Sequence, residues 1–290
     1  MHTVLANVPL SPNVNRLVLS APRVAKHRKP GQFVIVRLGE GAERIPLTIA
    51  DADPVAGTIS LVIQAVGKST RDLVALDPGQ AVQDVCGPLG HATELIEKGR
   101  AVCVGGGVGT AVVMPIAVAL AKAGVQVTSV IGGRSKPWVI CEDELRACGE
   151  VVVCTDNGSH GRKGFVTDAL RELLAAGGID IVYAVGPVPM MRAVCDLTKT
   201  AGVKTIVSLN PVMIDGTGMC GGCRVTVDGK IKFACVDGPE FDGHQVDFAS
   251  LIARQATYRD FEKDAEMRRA DTCGDECRAR KAADALTTAP

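Results

Sequence analysis

The sequence predicts an α+β chain with an N-terminal antiparallel β-barrel, then a parallel α/β sheet, then a small cysteine-bearing loop module. Three observations predict this. Residues 1–98 hold closely spaced runs rich in Val, Ile and Leu, cut by Pro30-Gly31, Asp53-Pro54, Gly57 and Pro78-Gly79, the pattern of a small antiparallel barrel. Residues 99–209 alternate apolar strands with helical stretches, as βα units do. Residues 210–250 are Gly-rich and carry Cys220, Cys223 and Cys235 with no long periodic segment. A length of 290 residues, at ~150 per domain, suits two domains and a module.

In the first region the strands expected are 3–10, 15–20, 33–38, 46–50 and 58–66, with a short helix over 69–76. In the second, strands are expected over 100–104, 126–131, 151–154, 181–185 and 204–208. Helices are expected over 111–123, 167–176 and 189–201, with Pro115 close to a helix start, where a missing N–H costs least. Residues 251–290 form a charged tail that reads as helical.

Lys+Arg and Asp+Glu both total 32. A chain living on nucleic acid or anionic lipid normally carries a positive excess, so neither is an expected partner. The longest apolar run, residues 111–121, contains Pro115 and falls short of the ~20 residues of a membrane span. The first residues lack the basic head and apolar block of a secretory signal. Eleven cysteines, an odd number, exclude a simple disulfide scaffold and point to a cytoplasmic chain with buried thiols and some metal ligands.

Asp215, Cys220 and Cys223 are spaced as the first three ligands of a plant-type 2Fe–2S site, x4 and then x2, and Cys235 follows at a distance. A carboxylate matches a thiolate in charge but is a harder donor, so Asp215 is expected to be a ligand that biases the cluster. Gly216, Gly218, Gly221 and Gly222 allow a close backbone wrap around such a group. A zinc knuckle usually shows two tight ligand pairs, whereas one Cys-x2-Cys pair with single flanking ligands is present here. For Cys273 and Cys277, surface thiols and a ligand role are equally weighted.

Gly105, Gly106, Gly107, Gly109 and Thr110 lie between a strand and a helix, where free N–H groups and the helix dipole favour a dinucleotide's phosphates. The third glycine of the common dehydrogenase fingerprint and its acidic residue about 20 positions on are both missing. Arg134 and Lys136 stand there instead. They face an adenosine ribose or its 2′-phosphate, or are solvated cations. Asp156, Asn157, Gly186, Pro187 and Met190 end further strands on the edge where ligands of such sheets collect, although ordinary turn chemistry explains them equally well.

Taken together, the segments 43–51, 66–70, 87–90, 104–111, 161–167, 186–191, 215–223 and 234–243 resemble the ferredoxin–NADP reductase superfamily. Within it, residues 2–255 resemble the electron-transfer subunits of dihydroorotate dehydrogenase B. They are still more similar to the family of small subunits of NADH-dependent reduced ferredoxin:NADP oxidoreductases, the sulfide dehydrogenase subunits. The resemblance implies FAD on the barrel, with Pro46, Leu47 and Thr48 along its isoalloxazine and ribityl region, Val62, Ile63 and Gln64 on the strand that lines the flavin, Gly67, Ser69 and Thr70 at its diphosphate, and Arg44 and Ile45 at the motif arginine that serves the diphosphate. Thr48, beside the flavin's reactive nitrogen, is the expected catalytic contact. Two departures stand out: the family's arginine position holds Ile45, with Arg44 one residue early, and Val185 replaces the usual cysteine before Gly186.

The resemblance further implies hydride exchange with NAD(H), NADP(H) being possible, single-electron exchange between FAD and a 2Fe–2S cluster, and a place in a heteromeric enzyme. Its large subunit resembles the glutamate synthase small subunit and carries FAD and 4Fe–4S clusters. Ferredoxin is engaged indirectly, by electron bifurcation. Two alternatives are weighed. One is the electron-transfer subunit of a dihydroorotate dehydrogenase, whose family has cysteine where this chain has Asp215. The other is a zinc-bearing, non-catalytic nucleotide-binding regulator.

Overall fold

The computed structural model describes residues 1–272; Cys273 and Cys277 lie outside the described residues. Strands β1 (His2–Ser11), β2 (Val14–Ser20), β3 (Phe33–Arg37), β4 (Arg44–Asp53), β5 (Thr58–Gln64), β6 (Ala81–Val82) and β7 (Asp84–Leu89) form one antiparallel sheet in the order β6-β1-β2-β5-β4-β3-β7. Its two edge strands are joined through Gln83 alone, whose N–H lies on the carbonyls of Arg37 and Leu38. The sheet is thereby drawn into a nearly closed barrel, which shields edges that would otherwise be open. Helices α1 (Pro22–His27) and α2 (Lys68–Val74) lie in its connections. At the β4–β5 turn the Asp53 carboxylate accepts the N–H groups of Val55 and Ala56, and Gly57 takes a positive φ.

The second sheet begins with β8 (Arg100–Gly106), α3 (Gly109–Lys122), β9 (Gln126–Gly133), α4 (Glu142–Arg146) and β10 (Glu150–Thr155). It continues through β11 (Arg162–Lys163), α5 (Val166–Ala176), β12 (Ile181–Val185), α6 (Val188–Thr200) and β13 (Lys204–Ser208). After them come the hairpin β14 (Arg224–Val227) and β15 (Lys230–Phe233), α7 (Ala234–Asp237), β16 (Glu240–Asp242), α8 (Phe248–Ala256) and α9 (Arg259–Thr272). The order is β11-β10-β9-β8-β12-β13-β16, parallel except for the antiparallel β13–β16 pair. The segment expected to form a separate cluster module thus lends a strand to this sheet. Pro115 is interior to α3 rather than in its first turn, so the helix forgoes one backbone bond there. The apolar residues around it bury Val113, Met114, Ile116, Ala117 and Leu120, each large side chain contributing about 1.5–3 kcal/mol.

Strand alternation in the barrel divides the core. Ile49, Leu61, Ile63, Val34 and Val36 point inward. On the opposite face Ala50 and Val62 pack against α3 and the parallel sheet, and Phe33 and Ile35 pack with Cys223, Ala234 and Cys235. Both faces of these strands are therefore buried, and a shift of one residue in register would swap them. Polar contacts also cross between the layers: Arg16 to Glu144 at 2.5 Å, the Tyr183 hydroxyl to the Glu94 carbonyl at 2.7 Å, and Thr93 Oγ1 to Glu240 Oε1 at 2.8 Å. The half-exposed Arg16 pair is worth about 0–1 kcal/mol, so apolar burial sets the arrangement.

Glu240 is largely enclosed, and its Oε2 is buried without a hydrogen-bond partner. Burial pushes its carboxyl from an ordinary value of 4.5 up to about 7, against the Thr93 hydroxyl, which favours the ionised form. Between those values the folded chain keeps a proton that the unfolded chain has released. The stabilising contribution is thus complete below about 4.5 and is lost as pH rises to about 7. Glu240→Gln removes that dependence. Its melting temperature should exceed wild type at pH 8 and converge with it at pH 5; equal differences at both values would exclude this origin.

Candidate functional site

The cysteine loop folds around Asp215. The Asp215 carboxylate accepts the N–H groups of Thr217, Met219 and Cys220 at 3.2, 2.8 and 2.9 Å, and the Thr217 hydroxyl at 3.1 Å. Desolvation opposes ionisation, but these donors outweigh it and hold the carboxylate well below its usual range. The four expected ligands stand as two pairs. Cys220 Sγ is 3.3 Å from Asp215 Oδ1 on the outer side, and Cys223 Sγ is 3.2 Å from Cys235 Sγ in the interior. Backbone N–H groups already face the sulfurs, Gly222 toward Cys220 and Cys235 toward Cys223. Burial and the neighbouring Cys223 thiol raise the Cys235 thiol.

Two pairs, each with two donors, suit two irons. The donor set therefore fits the two-iron group. The loop is seated on the barrel at Gly216, which has φ +77°; a Cβ there would lie 2.7 Å from Leu89 and 3.0 Å from Ile35.

Alternation sorts the flavin residues. Ile45, Leu47 and Ile63 pack into the barrel core, so whatever they offer a ligand is backbone. Arg44, Pro46, Thr48, Val62 and Gln64 occupy the alternate positions, facing outward. In the strand ladders Pro46 pairs with Ile35 and Thr48 with Phe33, the residues against which the cluster loop packs. The Thr48 hydroxyl and the Gln64 amide are half-buried and bond to no other described residue. Such free polar groups on an otherwise apolar wall fit a polar-edged aromatic ring system. Beside α2, Ser69 donates to the Glu43 carboxylate, and Thr70 Oγ1 accepts the N–H groups of Val66 and Gly67 and donates to the Gly67 carbonyl. Arg44 does not bond to this segment, the one expected at a diphosphate: its guanidinium reaches Ile214 O at 2.9 Å and Asp215 O at 3.5 Å.

The glycine loop leaves β8, next to β12, where the strand order reverses; ligands of open parallel sheets bind at that point. Gly105, Gly106 and Gly109 are buried by close packing, a Cβ at Gly106 lying 2.4 Å from Met190 Sδ and one at Gly109 2.3 Å from Val185 O. Gly107 is exposed, has φ +56° and faces open space. Thr110 is buried. Gly186 and Pro187 form the opposite lip. The exposed Arg134 guanidinium lies 5.7 Å from the Trp138 ring centre, a cation–π contact. Asp156 N bonds to Gly133 O and Asn157 Oδ1 accepts Ser159 N, so these two residues also shape their own turn.

Sequence reasoning missed Arg254, whose Nη2 donates to Gly222 O at 3.1 Å, and the seat formed by Ile35 and Leu89. Neither has a local signal, since each acts across the fold. Thiol labelling reads the ligand set directly. In iron-free protein Cys86 and Cys220, both exposed, should react first. Loading with iron and sulfide should protect Cys220 and leave Cys86 reactive; equal labelling of Cys220 in both forms would remove it from the ligands.

Comparison with known proteins agrees with this geometry. Residues 210–247 match the iron–sulfur cluster binding domain of dihydroorotate dehydrogenase B, and residues 103–196 match the oxidoreductase NAD-binding domain. A Thermotoga maritima homologue of the dihydroorotate dehydrogenase B electron transfer subunit is 46% identical over 275 residues, covering 95% of this chain and 98% of its own. The Geobacillus thermodenitrificans electron transfer subunit of that enzyme is 36% identical over 253 residues, covering 84% and 96%. A solved chain of the NADH-dependent reduced ferredoxin-NADP oxidoreductase, from work on flavin-based electron bifurcation, superposes with a TM-score of 0.88 at 46% identity, over 92% of this chain and 97% of that one. The ferredoxin reductase of carbazole 1,9a-dioxygenase, 20% identical with a TM-score of 0.60 over 70% of this chain and 65% of its own, shares the fold. Fold, nucleotide domain and cluster domain together make this a ferredoxin reductase-type oxidoreductase chain whose cofactors are FAD, a 2Fe–2S cluster and NAD, and it belongs to the family of dihydroorotate dehydrogenase B electron transfer subunits and their homologues.

Proposed function

We propose that the chain passes electrons between NAD(H) and a larger partner subunit, with FAD on the outer face of β4 and β5 and the 2Fe–2S cluster on Asp215, Cys220, Cys223 and Cys235. The observation that carries this is the shared wall: the open Thr48 hydroxyl and the seat of the cluster loop lie on neighbouring residues of β3 and β4. When bound, the flavin accepts a hydride's two electrons and the cluster takes them singly. Thr48 and Gln64 orient the flavin edge, and Gly67, Ser69 and Thr70 lie along its diphosphate. Gly107 and the N-terminus of α3 receive the dinucleotide's phosphates, with Gly186, Pro187 and Met190 as the facing lip and Arg134, Asp156 and Asn157 toward the adenosine end. These residues move no proton, since hydride transfer to a flavin needs no side-chain acid or base.

The partner proposed resembles the glutamate synthase small subunit and carries FAD and 4Fe–4S clusters, so that the complex couples NADH, NADP and ferredoxin by electron bifurcation. The coupling by bifurcation is supported by the solved relative at 46% identity, an NADH-dependent reduced ferredoxin-NADP oxidoreductase chain. The reducing conditions that keep the cluster thiols free favour the cytoplasm, and no described helix is long and apolar enough to cross a membrane. The second reading, the electron-transfer subunit of a dihydroorotate dehydrogenase, is favoured by the names of several relatives. Recovering a TIM-barrel protein as the copurifying subunit would select it.

Anaerobically purified protein should show flavin absorption and about two irons per chain, and NADH should bleach both. Bleaching by NADPH alone would reverse the nucleotide assignment, and zinc without flavin would leave the regulatory alternative. Asp215→Cys should shift the cluster's midpoint potential and its EPR spectrum at unchanged iron content. An unchanged potential and spectrum would remove Asp215 from the ligand set.

A further inference from the structure

At Arg44 the motif expectation and the geometry point to different partners. In the resemblance it belongs to the flavin diphosphate. In the fold it lies at the start of β4, on the outward face shared with Pro46 and Thr48. Its Nε donates to Ile214 O at 2.9 Å, and Nη2 approaches Asp215 O at 3.5 Å. A guanidinium presents its donors as a rigid planar fork, which engages two successive carbonyls at a fixed spacing that the compact, freely rotating ammonium of lysine does not reproduce.

A second observation, independent of Arg44, fixes the same stretch. Gly216 is buried at φ +77° and lies so close to Ile35 and Leu89 that a Cβ would reach 2.7 Å from Leu89 Cδ1. Asp215 is thus held between two barrel contacts, the arginine fork before it and the glycine seat after it. The seat residue Ile35 pairs with Pro46, two positions along β4 from both Arg44 and Thr48. The other end of the loop is held differently, by Arg254 on α8 through Gly222 O.

We propose that Arg44 is a positioning residue for electron exchange between flavin and cluster, clamping the Ile214–Asp215 backbone to the flavin-bearing face of the barrel, and is not a ligand of the flavin diphosphate. This rests on the functional reading above and deepens it. Arg44 takes up no electron: one leaves the flavin and one enters the cluster, and the arginine fixes the path between them. Its positive charge, near the Asp215 side, also favours the reduced and more negative cluster, because net charge and hydrogen bonding set such potentials. The effect is tempered by the partial exposure of the guanidinium, which screens its charge.

The test compares the full-length wild-type chain with Arg44→Gln and Arg44→Lys. Flavin and iron per chain, the cluster midpoint from an EPR-monitored redox titration, and the rate of cluster reduction after mixing with NADH are measured for each. Arg44→Gln should keep wild-type flavin and iron, shift the cluster potential to more negative values, and slow cluster reduction while flavin bleaching keeps its wild-type rate. Arg44→Lys keeps the charge but loses the fork, so its potential should lie nearer wild type while cluster reduction stays slow. If Arg44→Gln is insoluble, the Lys variant still decides, since an unchanged cluster reduction rate there overturns the clamp. Flavin loss with an unchanged cluster potential would return Arg44 to the diphosphate. Wild-type chain lacking flavin and iron would instead overturn the functional reading itself, a result distinct from any behaviour of the variants.

Discussion

The rest of the structure depends on strands β3, β4 and β5 being buried on both faces. Their inward residues close the barrel, and their outward residues carry the second sheet on one side and the cysteine loop on the other. Antiparallel sheets more often keep one face in water. Here the outward face is apolar at Phe33, Ile35, Ala50 and Val62, and Arg44, Thr48 and Gln64 are among the polar groups that interrupt it. One register fixes both the barrel and the relation between the flavin wall and the cluster loop, so neither can slip without the other.

The glycines divide by physical cause. Gly106 and Gly109 are required by the approach of β8 and α3 to the segment after β12, and Gly105 by the approach of Thr110 on α3; in each case these atoms occupy the space a Cβ would need. Gly107 is required by its positive φ and opens onto solvent. The motif that signals phosphate binding in the sequence is thus largely a packing device, and it leaves a single backbone position open at the switch point. That is consistent with a fingerprint lacking the usual third glycine: what the site needs is the strand-order reversal and the lip at Gly186, both of which are present.

Charge is placed against this apolar frame with little redundancy. Asp215 is held ionised by converging backbone donors, whereas Glu240, enclosed between the barrel connection and the second sheet, is pushed toward its neutral form. The two carboxyl groups therefore take opposite states: N–H donors stabilise the Asp215 anion, whereas burial penalises the Glu240 anion. The cluster loop is similarly asymmetric, with Asp215 and Cys220 outward and Cys223 and Cys235 in the core. Within the proposed ligand set the outer pair thus lies near solvent and the inner pair is enclosed.

By itself the sequence determined everything that local spacing encodes. The main strands and helices follow from apolar periods, the proposed ligand set from a short spacing plus Cys235, and the glycine loop from its place between a strand and a helix. These depend on neighbours a few residues apart, and the chain's own geometry brings such residues together. Only the tertiary structure decided which outward side chains meet. Arg44 reaches a carbonyl 170 positions away, β16 joins β13 across the hairpin, and Ile35 rather than any loop residue seats Gly216. Ile45, Leu47 and Ile63 likewise turned inward, because the inward or outward sense of an alternating strand is set by what packs on each side. With both sides apolar, the pattern alone cannot tell which face holds the barrel core and which holds the site.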